Sequence, residues 1–404
     1  MQSRRMLYLV SWLSTVSAGI AATLFSVYLP LIAGDLAGGS ATPEDISRTG
    51  SWAGGAFLFG WALGAFALGA LGDRVGRKMA LFASVLTCSI GIIATSFVTS
   101  LPMLAAIRLL TGAGAGGILL LTAVMVSEAW ATGNRARMVG ILINAFPVGF
   151  ILAGLIAKNI VDWRTAYLIG GSTIFLAAAV LLVVKESDWW KSSDEEHVLK
   201  HREREHILDR VYRRDLVIGV MLFGSMLVGL WAVFVWMPTW VHKMSSPELA
   251  QSNRGLTIIM LGAGSFAGGI LSGPLSNALG RRSAAALGYL GCIALTAATF
   301  LTGLVPGTLL FSLTFTLSLC IGINQGVLSA YIPELFPTLI RGVATGISMN
   351  AGRLLTTVTV FFVGVLVQTL GGYNNAIFTF AGAYVVGLIT LMFARETKGL
   401  ELPR

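Results

Sequence analysis

The chain has 404 residues, of which 55% are hydrophobic and only 12% charged, where a soluble domain carries about 25%. That leaves too little polar surface to cover a water-soluble globule, and the charges stand between long apolar stretches such as 79–98 rather than along them. The net charge of +9 comes from basic residues in short connections and not from one patch, which marks topology and excludes a nucleic-acid-binding face.

In chain order, cutting at polar or Gly/Pro-rich breaks predicts spans at 7–33, 52–72, 79–98, 101–127, 138–158 and 165–184. A second set follows at 215–241, 255–279, 283–303, 307–331, 342–370 and 372–394. Each reaches the roughly 20 apolar residues that a bilayer crossing needs. The first span follows MQSRRM directly and is too long for the 7–15-residue apolar core of a signal peptide. KESDWWKSSDEEHVLKHREREHILDRVYRR, at 185–214, is the one long charged run and reads as a solvated linker helix. The expected fold is therefore an all-α membrane protein with twelve transmembrane helices. Residues 1–184 form one six-helix bundle, 185–214 a cytoplasmic linker and 215–404 a second bundle. Cys88, Cys292 and Cys320 are odd in number and lie inside apolar segments, so they read as small buried hydrophobes and not as a disulfide framework.

Lys and Arg set the orientation. Placing both termini and every second connection on one side collects 21 basic residues there, against five opposite, Arg48, Lys158, Arg164, Lys243 and Arg254. The richer side is expected to be cytoplasmic, with both termini in the cytoplasm of a multi-pass cell-membrane protein. The two arginines that remain, Arg108 and Arg353, fall inside spans.

The chain also repeats itself. GALGDRVGRK at 69–78 matches GPLSNALGRR at 273–282, with Gly76 and Gly280 offset by 204 residues. Glu128 matches Glu334, Arg135 matches Arg341 and Asn144 matches Asn350, each offset by 206. Ordered matches at nearly one offset, close to the half-length, are what a duplicated transporter half produces. The repeated connections gather Asp73, Arg74, Gly76, Arg77, Glu128, Arg135, Glu334 and Arg341. Glycine lets the helix ends approach, and the charges are expected to gate, paired in one global state and separated in another.

GALGDRVGRK resembles the signature of the major facilitator superfamily between its second and third helices, and IRLLTGAGAGG at 107–117 is similar to its fourth-helix motif. IPELFPTLIRG and the terminal ETKGLEL resemble elements of sugar porters, organic ion transporters and aromatic acid symporters. The resemblance covers essentially the whole chain. It implies two pseudo-symmetric six-helix bundles that rock about a central site lined by helices 1, 4, 7 and 10 with 2, 5, 8 and 11. The chain departs from the group at two places: the first span, SWLSTVSAGIAATLFSVYLP, lacks the acidic motif of aromatic acid symporters, and NAFPVGFILAG lacks the fuller Gly-Pro pattern of drug antiporters.

An ionised side chain inside a membrane costs several kcal/mol unless it meets water or a partner, which makes Arg353 and Arg108 the leading candidates for substrate contact. Asn350, Arg353 and Thr357 fall on one helix face. A guanidinium is permanently charged and its fork matches a carboxylate, and none of the 19 acidic residues lies mid-span. Helical stripes add Tyr28 from the first span, Trp236 from the seventh, and Gln325 beside Asn324 from the tenth. Aromatic walls with few polar groups and one cation describe an organic-anion site. Trp240 belongs instead to the interfacial belt. No histidine lies in a span, so a coupling proton would ride on Glu128, Glu334, Asp35 or the substrate's own carboxyl group.

The sequence thus points to a monomeric secondary transporter of a small organic anion, a monocarboxylate or aromatic acid, moved by alternating access with proton symport. A sugar or other neutral-solute porter is the alternative, supported by ETKGLEL. No GxxxxGK[ST] motif is present, and neither a catalytic set nor a metal or cofactor motif stands out.

Overall fold

The computed structural model describes residues 2–130, 132–187, 190, 210–337 and 340–399, so most of the linker expected at 185–214 lies outside the described residues. The chain divides into two compact units, Met1–Glu203 and Arg204–Arg404, and every regular element among the described residues is helical.

In the first unit α1 is Gln2–Leu36, α2 Pro43–Val75, α3 Arg77–Thr95, α4 Leu101–Ala129, α5 Thr132–Ile143, α6 Phe146–Asn159, α7 Trp163–Gly170 and α8 Phe175–Val183. A 3-10 turn, Gly171–Ile174, joins α7 to α8. The second unit holds α9 Arg210–Met244, α10 Pro247–Leu279, α11 Arg281–Phe300, α12 Thr308–Glu334, α13 Arg341–Thr369, α14 Tyr373–Phe380 and α15 Gly382–Phe393. Joined across their breaks, these make eleven segments long and apolar enough to cross a membrane among the described residues. The 29-residue α13 supplies the twelfth crossing of the fold.

Several helices run past the apolar stretches that announce them. α2 begins at Pro43 and not near 52, because Thr42 accepts from the Asp45 N–H at 3.2 Å while Asp45 Oδ2 accepts from the Thr42 N–H at 3.0 Å. This reciprocal cap, with proline at the first position, stabilises the start by about 1 kcal/mol. α10 likewise starts at Pro247 and not near 255, which moves Arg254 out of the expected loop and into the helix. Hydropathy marks the part of a helix that needs lipid, whereas caps mark where it starts. The fifth span breaks between Ile143 and Phe146, where Pro147 offers no N–H to continue the ladder.

α1 and α9 are buried along 94% and 83% of their apolar stretches, and the other nine such segments along 33–61% of theirs. Their outward faces carry residues such as Leu182, 84% exposed, and Phe175, 76% exposed, which suit lipid and not water. The inward faces cross at small residues. A Cβ on Gly112 of α4 would stand 2.0 Å from the Phe57 carbonyl oxygen of α2, and one on Gly64 of α2 would stand 2.1 Å from that of Ala113. α10 and α12 repeat the arrangement, Gly268 against the Leu319 carbonyl and Gly322 against that of Ser265. Backbone contact of this kind drives association where lipid removes the hydrophobic term between helices.

Candidate functional site

The repeated motif closes one end of each unit. In the first, Gly76 has φ 102°, a left-handed value that lets α2 end and α3 begin without an intervening loop. This turn brings Arg77 Nη1 to 2.5 Å from Asp73 Oδ1 and Arg77 Nε to 3.4 Å from Glu128 Oε1 on α4. In the second unit Gly280 has φ 93°, and Arg281 reaches Glu334 on α12 through Nε at 3.0 Å and Nη2 at 2.9 Å. Its Nη1 donates to Asn277 at 3.4 Å, the position matching Asp73. Arg74 is exposed, and the Arg135 side chain lies outside the described residues. Arg341 holds the frayed end of α12, its Nε donating to the Pro333 and Phe336 carbonyls at 3.2 Å each.

Two carboxylates absent from the sequence-based set complete these clusters. Glu186 accepts from the Lys78 N–H at 3.2 Å and caps α3. Glu396 accepts from the N–H groups of Arg281 at 2.9 Å and Arg282 at 3.0 Å and caps α11. A carboxylate over the first turn satisfies orphan donors and meets the positive end of the helix dipole. Burial pushes the Glu396 carboxyl up, but four backbone N–H bonds, from Arg281, Lys398, Arg282 and Thr397, outweigh it and hold it below the ordinary value. The second unit is bound further by Thr397 Oγ1, which donates to Glu334 at 2.5 Å, by Lys398 Nζ to the Ala278 carbonyl at 2.9 Å, and by the Arg395–Asp215 pair at 3.3 Å. The available signal was Lys185-Glu186-Ser187 against Arg395-Glu396-Thr397, each just after the last span of its half.

The candidate substrate residues do not share one setting. Arg108, 2% exposed, is enclosed in the first unit. Its guanidinium lies 4.8 Å from the Phe25 ring centroid and 4.1 Å from that of Phe57, and Nη1 donates to the Ala21 carbonyl at 2.8 Å. Desolvating the cation costs several kcal/mol, against which two desolvated cation–π contacts give up to about 2 kcal/mol each and the charged hydrogen bond about 1.5–3 kcal/mol. The Nε–H has no hydrogen-bond partner among the described residues. Tyr28, on α1, is fully buried and donates to the Ile160 carbonyl at 2.6 Å.

In the second unit Arg353 is half-buried, about 18 Å along α13 from Arg341. It donates through Nη1 to Asn350 Oδ1 at 3.2 Å, and Thr357 Oγ1 donates to the Arg353 carbonyl at 2.9 Å. The structure thus joins Asn350 and Arg353 as the helix period implies. Trp236 is fully buried and stacks on Tyr373, centroids 5.7 Å apart. Asn324 is also fully buried, its amide oriented so that N donates to the Ala285 carbonyl at 2.9 Å and O accepts from the Tyr289 N–H at 3.0 Å, which turns it toward α11. Gln325, the next residue, is half-buried.

A third buried arginine was missed because it was counted with the loops. Arg254, 2% exposed on α10, donates through Nη2 to Gln251. His242, in the last turn of α9, lies within its electrostatic range. Acidic residues, by contrast, stand at helix ends or in connections throughout the described chain. Asp35, at the end of α1, pairs with Arg164 at 2.6 Å.

Comparison with known proteins agrees with this layout. The niacin transporter NiaP of Acinetobacter baylyi is 26% identical over 384 residues, 85% of each chain. The cis,cis-muconate transport protein of the same organism is 26% identical over 358 residues, 84% of each. In fold the chain is similar to the crystal structure of a D-xylose–proton symporter, with a TM-score of 0.80 at 19% identity over 98% of this chain and 99% of that one. The Major Facilitator Superfamily profile matches residues 11–355. With apolar helices throughout, paired helix-end charge clusters and that match, the chain belongs to the Major Facilitator Superfamily and is a multi-pass membrane transporter.

Proposed function

We propose that the protein moves a small organic anion, a monocarboxylate or an aromatic acid, by alternating access with proton symport. The observation that carries this reading is the position of Arg353. It is a permanent cation about 18 Å into a membrane helix, with its guanidinium tied to Asn350. Such a group at that depth suits recognition of an incoming carboxylate. The niacin and cis,cis-muconate relatives support an acid as the cargo.

In this reading residues 1–184 and 215–404 are the working bundles, 185–214 links them in the cytoplasm, and both termini lie on that side of the cell membrane. Asp73, Arg74, Gly76, Arg77, Glu128, Arg135, Glu334 and Arg341 gate the cytoplasmic ends. Arg353 and Asn350 hold the anion, with Arg108, Tyr28, Trp236, Gln325 and Asn324 as further contacts or supports. Asp35, Glu128 and Glu334 each face an arginine in the structure.

Uptake into proteoliposomes of the purified protein tests the proposal. Nicotinate or benzoate should accumulate when the outside is made acidic, and nicotinamide should not. Accumulation of a neutral solute such as xylose in place of either acid would replace this reading with the neutral-solute porter that ETKGLEL suggests.

A further inference from the structure

Arg353 has an aromatic neighbour that neither the helical stripes nor the repeated motifs single out. Its guanidinium carbon, on α13, stands 6.0 Å from the ring centroid of Phe223 on α9, and Phe223 is 3% exposed. The two helices are in backbone contact beside this pair. A Cβ on Gly352 would stand 3.0 Å from the Gly224 nitrogen and 3.4 Å from the Phe223 carbonyl carbon. Neither member comes from the duplicated scaffold: at the offset of 206 residues that relates Asn144 to Asn350, Arg353 corresponds to Pro147 and Phe223 to Ser17.

α9 is fixed at the turn that carries this ring. The Leu222 carbonyl, one residue before Phe223, accepts from the Tyr289 hydroxyl of α11 at 2.7 Å and from Ser225 Oγ at 3.0 Å. Tyr289 is fully buried and packs against Gly387 of α15, where a Cβ would stand 2.5 Å from its ring. Two hydrogen bonds converging on one buried carbonyl hold the rotation of α9 at this level, because breaking either would strand a polar group in the interior.

The distance decides what the ring does. Cation–π attraction extends to about 6 Å, so at 6.0 Å the attraction is at its limit, and the ring acts chiefly as a wall that restricts where the guanidinium can lie. On its other side the guanidinium is tied through Nη1 to Asn350 Oδ1 at 3.2 Å. An aromatic wall confines a cation without presenting an acceptor that competes with a carboxylate for its fork.

We propose that Phe223 is a positioning residue for anion recognition: it confines the Arg353 guanidinium, and Tyr289 anchors the turn that carries it, so that the fork meets a carboxylate in one orientation. This rests on the organic-anion reading. Buried as it is, Phe223 acts through Arg353 and not on the cargo.

Calorimetric titration of nicotinate into full-length wild type, Phe223→Leu, Arg353→Lys and the double variant tests the role. Phe223→Leu frees one long side chain that binding must then order, and should weaken nicotinate about fivefold while nicotinamide binding stays unchanged. In the Arg353→Lys background the same substitution should change the affinity less than about twofold, because the fork it confines is gone, whereas a merely structural role would weaken both backgrounds alike. Tyr289→Phe, which keeps the ring and removes its hydrogen bond, should shift nicotinate affinity in the same direction and leave nicotinamide unchanged. Wild-type nicotinate affinity in Phe223→Leu, or equal losses in the two backgrounds, would overturn the positioning role and leave the organic-anion reading standing. If Arg353→Ala binds nicotinate as wild type does, or wild type binds neither nicotinate nor benzoate, the organic-anion reading itself fails and takes the role with it.

Discussion

Arg281 and Glu334 meet through two parallel hydrogen bonds, at 3.0 and 2.9 Å, whereas their counterparts Arg77 and Glu128 make one 3.4 Å contact. In the second pair neither Arg77 Nε nor Glu128 Oε2 has a hydrogen-bond partner among the described residues. The same motif is thus locked in one unit and slack in the other. A bidentate, charge-assisted pair is roughly twice as strong as a neutral hydrogen bond, so Glu334→Gln should cost about 2 kcal/mol. Glu128→Gln should cost well under half that. Thermal unfolding of the purified variants checks the asymmetry, and equal losses would contradict it.

The slack pair has a kinetic corollary under the gating reading. Asp73→Asn and Arg77→Ala alter charges at the helix-end turn of the first unit and leave the Arg353–Asn350 pair untouched, so they should change the interconversion of states more than contacts with the substrate. Counterflow should slow while the substrate affinity stays within a few-fold of wild type. Lost equilibrium binding with normal exchange would reassign these residues to the site itself.

Glu396 gives the C-terminal unit a defined acid sensitivity. Its carboxyl is held below the ordinary 4.5 by backbone N–H groups on α11 and in its own turn. A group with a depressed folded-state pKa contributes stability that is complete above its unfolded value and is lost as pH falls through the folded one. The unfolding midpoint of wild type should therefore drop from about pH 4.5 downward, and Glu396→Gln should be less stable near neutrality with a flatter profile below. Parallel profiles for the two proteins would show that the cap carries no charge-dependent stability.

Much of this arrangement was legible in the residues. The spans showed in the apolar runs, the duplication in the offsets of Gly76 and Gly280, and the Asn350–Arg353 face in the helical period. What escaped shares one physical cause, that a period assigns a residue to a face without saying what covers the face. Asn324 sits beside the polar stripe of α12, yet its amide is consumed by α11. Tyr28 reads as a cavity aromatic, yet its hydroxyl is spent on the Ile160 carbonyl. Arg254 was lost to a loop because α10 starts at Pro247, ahead of the apolar stretch. Glu186 and Glu396 were invisible because a cap on another helix is a long-range contact, 108 residues for Glu186 and Lys78.

Arg353 separates the two transport readings most sharply. Its Nη1 bond to Asn350 at 3.2 Å fixes the orientation of the guanidinium on α13, and a carboxylate that meets this fork gains two parallel charged hydrogen bonds. Removing one partner of a desolvated charged pair costs about 2–5 kcal/mol, largely through the charge left behind. Arg353→Ala should therefore nearly abolish nicotinate binding. Arg353→Lys should also weaken it, because an ammonium keeps the charge but cannot reproduce the planar fork. Nicotinamide, which has the same ring and no charge, should bind wild type and Arg353→Ala about equally poorly. Calorimetric titration of the three proteins with both compounds supplies the comparison. If Arg353→Ala binds nicotinate as tightly as wild type does, the arginine is structural in this helix and the neutral-solute reading moves ahead.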